Sequence, residues 1–245
     1  MLRYIDMDRD IYKMIQEKNR KLIEASVMFK NLDESGLEKA LDLLEASYSE
    51  YKKNDVIHPA YKEMKAFGMV LSGVVQACMD DVEGNRIIMA EVAAGNTFGE
   101  SLCFLEIKDS PVYVYASEPA EVLWISLKKL FENTKDDFAG LLQKRFTAML
   151  ASRTLNMNDR IQVLSRISIR DKLLTYFNQM SQAAGSLTFQ IPINREDMAT
   201  YMGINRSALS RELAKMKQEG LIDYYKNTFR LMYGAEGNRT SEEKN

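Results

Sequence analysis

The stretch INREDMATYMGINRSALSREL, residues 193–213, holds two short helical patterns that meet at Gly203. An asparagine side chain can accept hydrogen bonds from the first free backbone amides of a helix, so Asn194 and Asn205 are each predicted to mark the start of a helix. Glycine adopts positive φ without strain, so Gly203 suits a turn between the two helices. The stretch therefore predicts two consecutive helices joined by a glycine turn.

The spacing around the glycine predicts the kind of helix pair. The first helix is expected over 195–202, and the second is expected to end near residue 219. Ala199, a small residue, lies four positions before Gly203, and Leu209, an apolar residue, lies six positions after it. A small residue permits a close helix crossing and an apolar residue fills it, so this spacing indicates a DNA-binding helix-turn-helix.

The second helix has two distinct sides. At about 100° per residue, Leu209, Leu213 and Met216 fall together and are expected to face the core. Four polar residues lie on the other side near the helix N-terminus, where free amides favour phosphates and base edges: Arg206, Ser207, Ser210 and Arg211. The following segment LIDYYKNTFRLMY reads as a hairpin that turns near residues 226–227, which predicts a wing.

Composition narrows the function classes. The chain has 245 residues, 46% hydrophobic and 28% charged, as in a globular protein with a core. No apolar run approaches the ~20 residues of a membrane span, and the N-terminus lacks the apolar stretch of a secretory signal. We therefore expect a cytoplasmic protein with no membrane partner.

The scarcity of cysteine and histidine excludes several kinds of site. Two cysteines, Cys78 and Cys103, cannot supply the four thiolates of an iron–sulfur cluster, and one histidine, His58, cannot form a multi-histidine zinc site. No nucleophile motif lies near His58. We expect no metal, no cofactor and no enzymatic activity. The cysteines are expected to be reduced packing residues, and a redox pair is the alternative.

Net charge does not oppose DNA binding. The formal net charge is −2, but residues 143–172 carry seven Lys or Arg against two acids, and residues 194–230 carry seven against five. Screening limits the attraction of exposed charges to about 10 Å at ordinary salt, so a locally basic face is sufficient.

The remaining chain shows two further sequence patterns. Residues 51–125 contain short β-branched and aromatic segments separated by turn signals such as DVEGN, which predicts an antiparallel barrel or sandwich. Residues 127–164 carry an apolar stripe at helical spacing, so a long helix that pairs with a second copy is expected. The alternative is a helix packed wholly on its own barrel.

The expected division of the chain is a helical extension 1–25, an effector domain 26–126, a dimerisation helix 127–164, a winged helix-turn-helix 165–233 and a disordered tail 234–245.

Three segments carry a resemblance to a known family: VMFKNLDESGLEKALDLLE, VLSGVVQACMDDVEGNRIIMAEVAAGNTFGE and NREDMATYMGINRSALSREL. They resemble the Crp/Fnr family of bacterial transcription regulators over about residues 26–233. The resemblance implies an α+β fold: an N-terminal antiparallel β-roll of the double-stranded β-helix or jelly-roll kind, a long dimerisation helix and a C-terminal winged helix-turn-helix. It also implies three partners, namely double-stranded DNA with an inverted repeat, a second copy of the chain, and RNA polymerase.

The resemblance assigns roles in DNA binding. Arg206, Ser207, Ser210 and Arg211 would contact DNA, with Arg195 near the DNA backbone. Arg211 is the candidate for a bidentate contact to guanine. Many members carry glutamate where this chain has Ser207, and a hydroxyl discriminates bases poorly, so the preferred half-site is expected to depart from the common family sequence.

The resemblance breaks at the effector pocket. Gly99 and Glu100 match the first residue pair that nucleotide-binding members use, but the matching arginine–serine pair falls on Ser110 and Pro111. A buried phosphate without a cationic partner is costly, and proline has no amide to donate. Cyclic AMP is therefore not expected as the ligand, and another small-molecule effector or none is left open. The competing hypothesis is an effector-binding or protein-interaction module that has lost DNA binding.

Overall fold

A computed structural model describes residues 19–132 and 136–232 of the chain. The chain divides into two compact units, and the division falls between Leu150 and Ala151. Each unit has its own core and is described by itself. Most of the predicted extension 1–25 and the whole predicted tail 234–245 lie outside the described residues; of the extension, residues 20–25 are helical.

The first unit begins with two helices, α1 (Arg20–Ala25) and α2 (Glu34–Leu43). The Asp33 carboxylate accepts a hydrogen bond from the Gly36 amide at 2.8 Å, which satisfies one of the free amides at the start of α2. Eight strands and one short helix follow in the order β1 (Ser47–Tyr51), β2 (Val56–His58), β3 (Ala66–Ser72), β4 (Val74–Asp80), β5 (Arg86–Ala93), β6 (Thr97–Phe98), α3 (Glu100–Phe104), β7 (Tyr113–Ala116) and β8 (Ala120–Ser126).

The strands form two four-stranded antiparallel sheets, ordered β1-β8-β3-β6 and β2-β7-β4-β5. Apolar side chains from both sheets fill the space between them, which explains why β3 is buried along most of its length. Gly68 is required in β3, because a Cβ atom there would lie 2.2 Å from the ring of Phe98 on β6. The predicted antiparallel architecture is confirmed.

The helical region after β8 differs from the single helix expected over 127–164. A short helix, α4, covers Lys128–Glu132, and the long helix, α5, covers Asp137–Leu164. Asp136 is not helical, and its carboxylate accepts a hydrogen bond from the Phe138 amide at 3.0 Å. The aspartate thus caps a new helix, which is the physical reason for the separate start.

The second unit carries the helix-turn-helix. Its elements are α6 (Ile169–Ala184), β9 (Thr188–Gln190), α7 (Arg195–Met202), α8 (Arg206–Gln218), β10 (Ile222–Tyr225) and β11 (Thr228–Leu231). The three strands form an antiparallel sheet in the order β10-β11-β9. Phe229 on β11 packs against Phe177 on α6, with ring centroids 4.8 Å apart, so the wing shares one core with the helices.

Candidate nucleic-acid interface

Local hydrogen bonds set the two helices of the motif. The Asn194 side chain accepts from the Asp197 amide at 3.0 Å, and the Asn205 side chain accepts from the Ser207 amide at 2.8 Å. Gly203 has φ +61°, the left-handed conformation that favours glycine. The helix starts and the turn therefore follow from short-range signals in the sequence.

The core side of α8 is buried and its opposite side is exposed. Leu209 and Leu213 are almost completely buried, and Ala199 on α7 lies in the same core. The side chains predicted to contact DNA point away from this core on α8, and all four are exposed: Arg206, Ser207, Ser210 and Arg211. The burial pattern thus presents the predicted residues on one solvent-facing side of the helix.

The exposed residues of α8 differ in the hydrogen bonds and ion pairs that they make within the chain. Arg206 lies 3.5 Å from the Glu196 carboxylate, and both side chains are about two thirds exposed. The Ser207 hydroxyl donates to the Asn205 side chain at 2.7 Å, so it helps to cap the helix. Within the described residues, no hydrogen bond or ion pair engages the Arg211 guanidinium. Arg211 is therefore the group on this face that is most available to an external acceptor.

The Arg195 side chain is directed toward the wing, and its predicted place near the DNA backbone stays a prediction. Its Nη2 donates to the Lys226 carbonyl at 2.8 Å, at the tip of the hairpin. Its guanidinium lies 4.6 Å from the Phe229 ring centroid and 5.3 Å from that of Tyr224. Burial lowers the pKa of Arg195. These contacts make Arg195 a clamp between α7 and the wing, a role that the sequence did not reveal.

Two further clamps hold α8, and sequence reasoning missed both. The Arg170 guanidinium on α6 lies 2.7 Å from Glu212 and 2.8 Å from Glu219, and its hydrogen bond lowers the pKa of the Glu219 carboxyl. On the wing side, Lys217 lies 2.7 Å from Asp223 and lowers the pKa of that carboxyl in the same way. The partners are distant in sequence or on different elements, so no local pattern marks them.

The residues expected to form the effector pocket lie around α3. Gly99 precedes this helix with φ +82°, and a Cβ atom at Gly99 would lie 2.0 Å from the Met64 sulfur. Glu100 is buried, and its carboxylate accepts a hydrogen bond from the Thr97 hydroxyl. Met64 thus covers the backbone at the start of the helix.

Of the second pair expected in the pocket, Ser110 and Pro111, Ser110 is contacted by the chain segment that contains Met64. The Ser110 carbonyl accepts from the Tyr61 amide at 2.7 Å, and the Ser110 hydroxyl accepts from the Val112 amide at 3.2 Å. Ser110 is buried, whereas Pro111 is exposed. The segment 59–65 between β2 and β3 therefore touches both predicted halves of the pocket, at Gly99 and at Ser110.

The two cysteines and the single histidine lie in buried surroundings. Cys78 and Cys103 are free and buried, and burial raises the pKa of both thiols, which favours the uncharged form. The His58 ring lies 3.0 Å from the Lys62 carbonyl, and burial lowers the pKa of the imidazole. These environments suit packing residues.

Two known domain families match the chain, one in each of its two units. Residues 48–137 match the cyclic nucleotide-binding domain, and residues 161–232 match the Crp-like helix-turn-helix domain. Together the two matches cover about two thirds of the chain. The chain belongs to the Crp/Fnr family of transcription regulators. The family is not enzymatic, and its Crp-like members bind DNA and act as dimers.

Curated relatives and solved structures resemble the chain over most of its length. The cAMP-activated global transcriptional regulator CRP of Haemophilus influenzae is 25% identical over 187 residues, which are 75% of this chain and 82% of that protein. The Pasteurella multocida protein of the same description is 23% identical and is covered to 88%. The structure of CprK complexed with OCPA matches with a TM-score of 0.52 at 16% identity, covering 80% of this chain and 89% of CprK. A putative cAMP-binding regulatory protein from Silicibacter pomeroyi DSS-3 matches with a TM-score of 0.50 at 16% identity, covering 88% of this chain and 94% of that one.

The chain is therefore a Crp-like DNA-binding transcription regulator with a domain of the cyclic nucleotide-binding type. Among its described residues, no helix is long and apolar enough to cross a membrane. The structural neighbours, at such low identity, support the fold and nothing finer.

Proposed function

We propose that the protein is a homodimeric, sequence-specific regulator in which α8 enters the major groove of DNA. The observation that carries this proposal is the exposed face of α8, where the Arg211 guanidinium has no partner among the described residues and Arg206 has only an exposed one. A guanidinium matches the O6 and N7 acceptors of guanine in bidentate fashion. Arg211 would therefore read a guanine, and Arg206 would contact a second base or a phosphate.

The exposed half of α5 supports the homodimer. Met157, Ile161 and Leu164 follow each other at steps of four and three, and these residues are 60%, 58% and 41% exposed. Apolar residues at this spacing form the seam of a paired helix, and leaving them in water is unfavourable. Pairing of α5 with the α5 of a second copy would bury them. The alternative, a helix packed wholly on its own barrel, does not account for these three residues.

The dimer would recognise an inverted repeat. Two recognition helices related by a two-fold axis contact half-sites one turn of DNA apart, about 34 Å. The tip of the β10–β11 hairpin carries Lys226, which would reach the adjacent backbone. RNA polymerase stays an expected partner, since a regulator of this family acts on transcription.

Cyclic AMP is not the proposed effector, although the curated relatives are described as cAMP-activated. Ser110 supplies no cation for a cyclic phosphate, Pro111 supplies no amide, and the Ser110 hydroxyl already accepts a backbone hydrogen bond. Met64 also covers the Gly99 backbone that such a ligand would approach. The pocket would hold another small molecule or none.

The deciding experiment is selection of genomic fragments by the purified protein without ligand, followed by sequencing. An inverted-repeat motif is the expected result. Arg211→Ala should then weaken binding by about 1–3 kcal/mol per half-site and relax one base position, while Lys53→Ala, an equal loss of charge on an exposed loop of the other unit, should leave the motif unchanged. Equal binding of Arg211→Ala and the parent protein to every sequence would remove Arg211 from base recognition.

The effector assignment has its own test. Saturating cyclic AMP stabilises a protein that binds it, by about 2.7 kcal/mol at one hundred times the Kd. We expect no change in the unfolding temperature with cyclic AMP. A clear rise would show that Ser110 and Pro111 are compatible with the nucleotide.

A further inference from the structure

A cavity of about 600 Å³ lies in the first unit, outside the residues expected to bind the effector. It is bounded by α3 and α4, by the end of β8, and by the segment that leads into β3. Its lining is Glu45, Glu63, Met64, Lys65, Cys103, Phe104, Glu106, Ser126, Leu127, Lys128, Phe131 and Glu132. This volume is within the range of small-molecule sites in proteins, about 300–1,000 Å³.

Two phenylalanine rings in the cavity are unusually exposed. Phe104 is 44% exposed and Phe131 is 37% exposed, and their ring centroids are 5.2 Å apart at an angle of 58°. Both rings also pack on Phe146 of α5, at 5.6 and 6.1 Å. Because Phe146 packs against both rings, Phe104 and Phe131 form a preformed aromatic corner of the cavity. The parts of the two rings that do not contact Phe146 remain open to the cavity.

The charges around this corner favour a cation. Four carboxylates line the cavity against two ammonium groups, those of Lys65 and Lys128. One carboxylate, Glu45, lies 3.1 Å from Lys129 and is thereby neutralised. The other three, those of Glu63, Glu106 and Glu132, have no ion pair within the described residues, so the lining keeps one net negative charge against the two ammonium groups. Aromatic ring faces attract cations as carboxylates do, so both parts of the lining select the same sign of charge.

We propose that this cavity binds a small organic ammonium ion whose apolar body stacks in the Phe104–Phe131 corner and whose charge faces Glu106 and Glu63. The ammonium gains a cation–π contact and charge-assisted hydrogen bonds, which a neutral or anionic molecule of the same shape does not.

The cavity is also joined to the effector region through one side chain. Met64 lines the cavity, and its sulfur is the atom that covers the Gly99 backbone. A ligand that displaces the buried Met64 side chain would open the space above Gly99. The site would then influence the effector pocket while remaining separate from Gly99, Glu100, Ser110 and Pro111, none of which lines it.

The test is isothermal titration calorimetry of the full chain with 2-phenylethylammonium and, as a matched anion, 3-phenylpropionate, both titrated to millimolar concentrations. We expect the ammonium to bind at least about tenfold more tightly than the carboxylate. Glu106→Gln combined with Glu63→Gln keeps the side-chain volume and should weaken ammonium binding at least about fivefold. Glu118→Gln, an exposed carboxylate outside the cavity, should leave it unchanged.

A second variant tests the aromatic corner. Phe131→Leu retains an apolar side chain and should reduce ammonium affinity without creating affinity for the anion, and circular dichroism would confirm that the variant is folded. Absence of ammonium binding, equal binding of the anion, or binding that survives both the glutamate and the Phe131 changes would overturn the proposal. The measurement needs no DNA, so its failure would leave the proposed regulator function intact.

Discussion

Arg195 offers the sharpest test of the DNA-binding unit, because its predicted contact with the DNA backbone is untested and its contacts with the wing indicate a structural role as well. The resemblance puts it near the DNA backbone, whereas the structure directs its guanidinium to the Lys226 carbonyl and to the rings of Phe229 and Tyr224. The informative change is Arg195→Met, which retains a long apolar side chain and removes the charge and the donors.

The contacts give the size of the effect. A hydrogen bond from a charged donor contributes about 1.5–3 kcal/mol, and a cation–π contact contributes about 0.5–2 kcal/mol. Arg195 Nη1 is buried without a hydrogen-bond partner among the described residues, which costs about 1–3 kcal/mol. The net loss on changing Arg195 to methionine should therefore be about 1–3 kcal/mol, located where α7 meets the wing.

Hydrogen exchange measured by mass spectrometry reports such a local loss. At 1.4 kcal/mol per factor of ten, protection of the wing amides in β10 and β11 should fall about fivefold to 150-fold. Arg206→Met, a change on the exposed face of α8, is the matched control and should leave wing protection unchanged.

The salt dependence of DNA binding separates the two roles. Loss of one phosphate contact per protomer would reduce the slope of log K against log salt by about 1.8 for a dimer. A clamp has no phosphate to lose, so Arg195→Met should weaken DNA binding with an unchanged slope. A reduced slope together with full wing protection would refute the clamp and restore the DNA-backbone contact.

Three further predictions concern other parts of the molecule. Glu196→Gln frees Arg206 from an exposed ion pair and removes a negative charge near DNA, so affinity measured by fluorescence anisotropy should rise about two- to fivefold. Burial lowers the pKa of His58 below its ordinary 6.5, so as the pH falls the unfolded chain binds the proton before the folded chain does. The free energy of unfolding should therefore decrease as the pH drops through about 6.5. In His58→Gln, the free energy of unfolding measured with urea should depend less on pH in this range. Ile161→Asp should yield monomers in analytical ultracentrifugation, while Asn158→Asp, off the apolar seam of α5, should leave dimers intact.

The parts of the fold that the sequence predicted depend on interactions between near neighbours. Asn194, Asn205 and Gly203 act within four residues of their partners, so the order of residues along the chain is enough to locate the caps and the turn. The short β-branched and aromatic segments between turn signals predicted the strands for the same reason. The start of α5 was missed because the polar run over residues 132–137 was read as part of one long helical pattern, whereas Asp136 caps a new helix there.

The parts that were missed depend on pairs far apart in the chain. Arg170 contacts glutamates 42 and 49 positions away, and Arg195 contacts a carbonyl 31 positions away. Met64 covers Gly99 although 35 positions separate them. A charged or flexible side chain in one sequence gives no sign of its distant partner, so the wing clamp, the α8 clamps and the covered effector region become visible only in the folded chain.

These distant pairs also explain how a chain with a formal net charge of −2 can present a basic surface to DNA. Residues 194–230 contain five acids, which would repel phosphate if they were unpaired. Glu212 and Glu219 are paired with Arg170, and Asp223 is paired with Lys217, all at the side or the base of α8. Three of the five acids are thus paired inside the unit, and each of these pairs also fixes α8. Affinity for DNA then depends on a few cations on the exposed face rather than on the net charge of the chain.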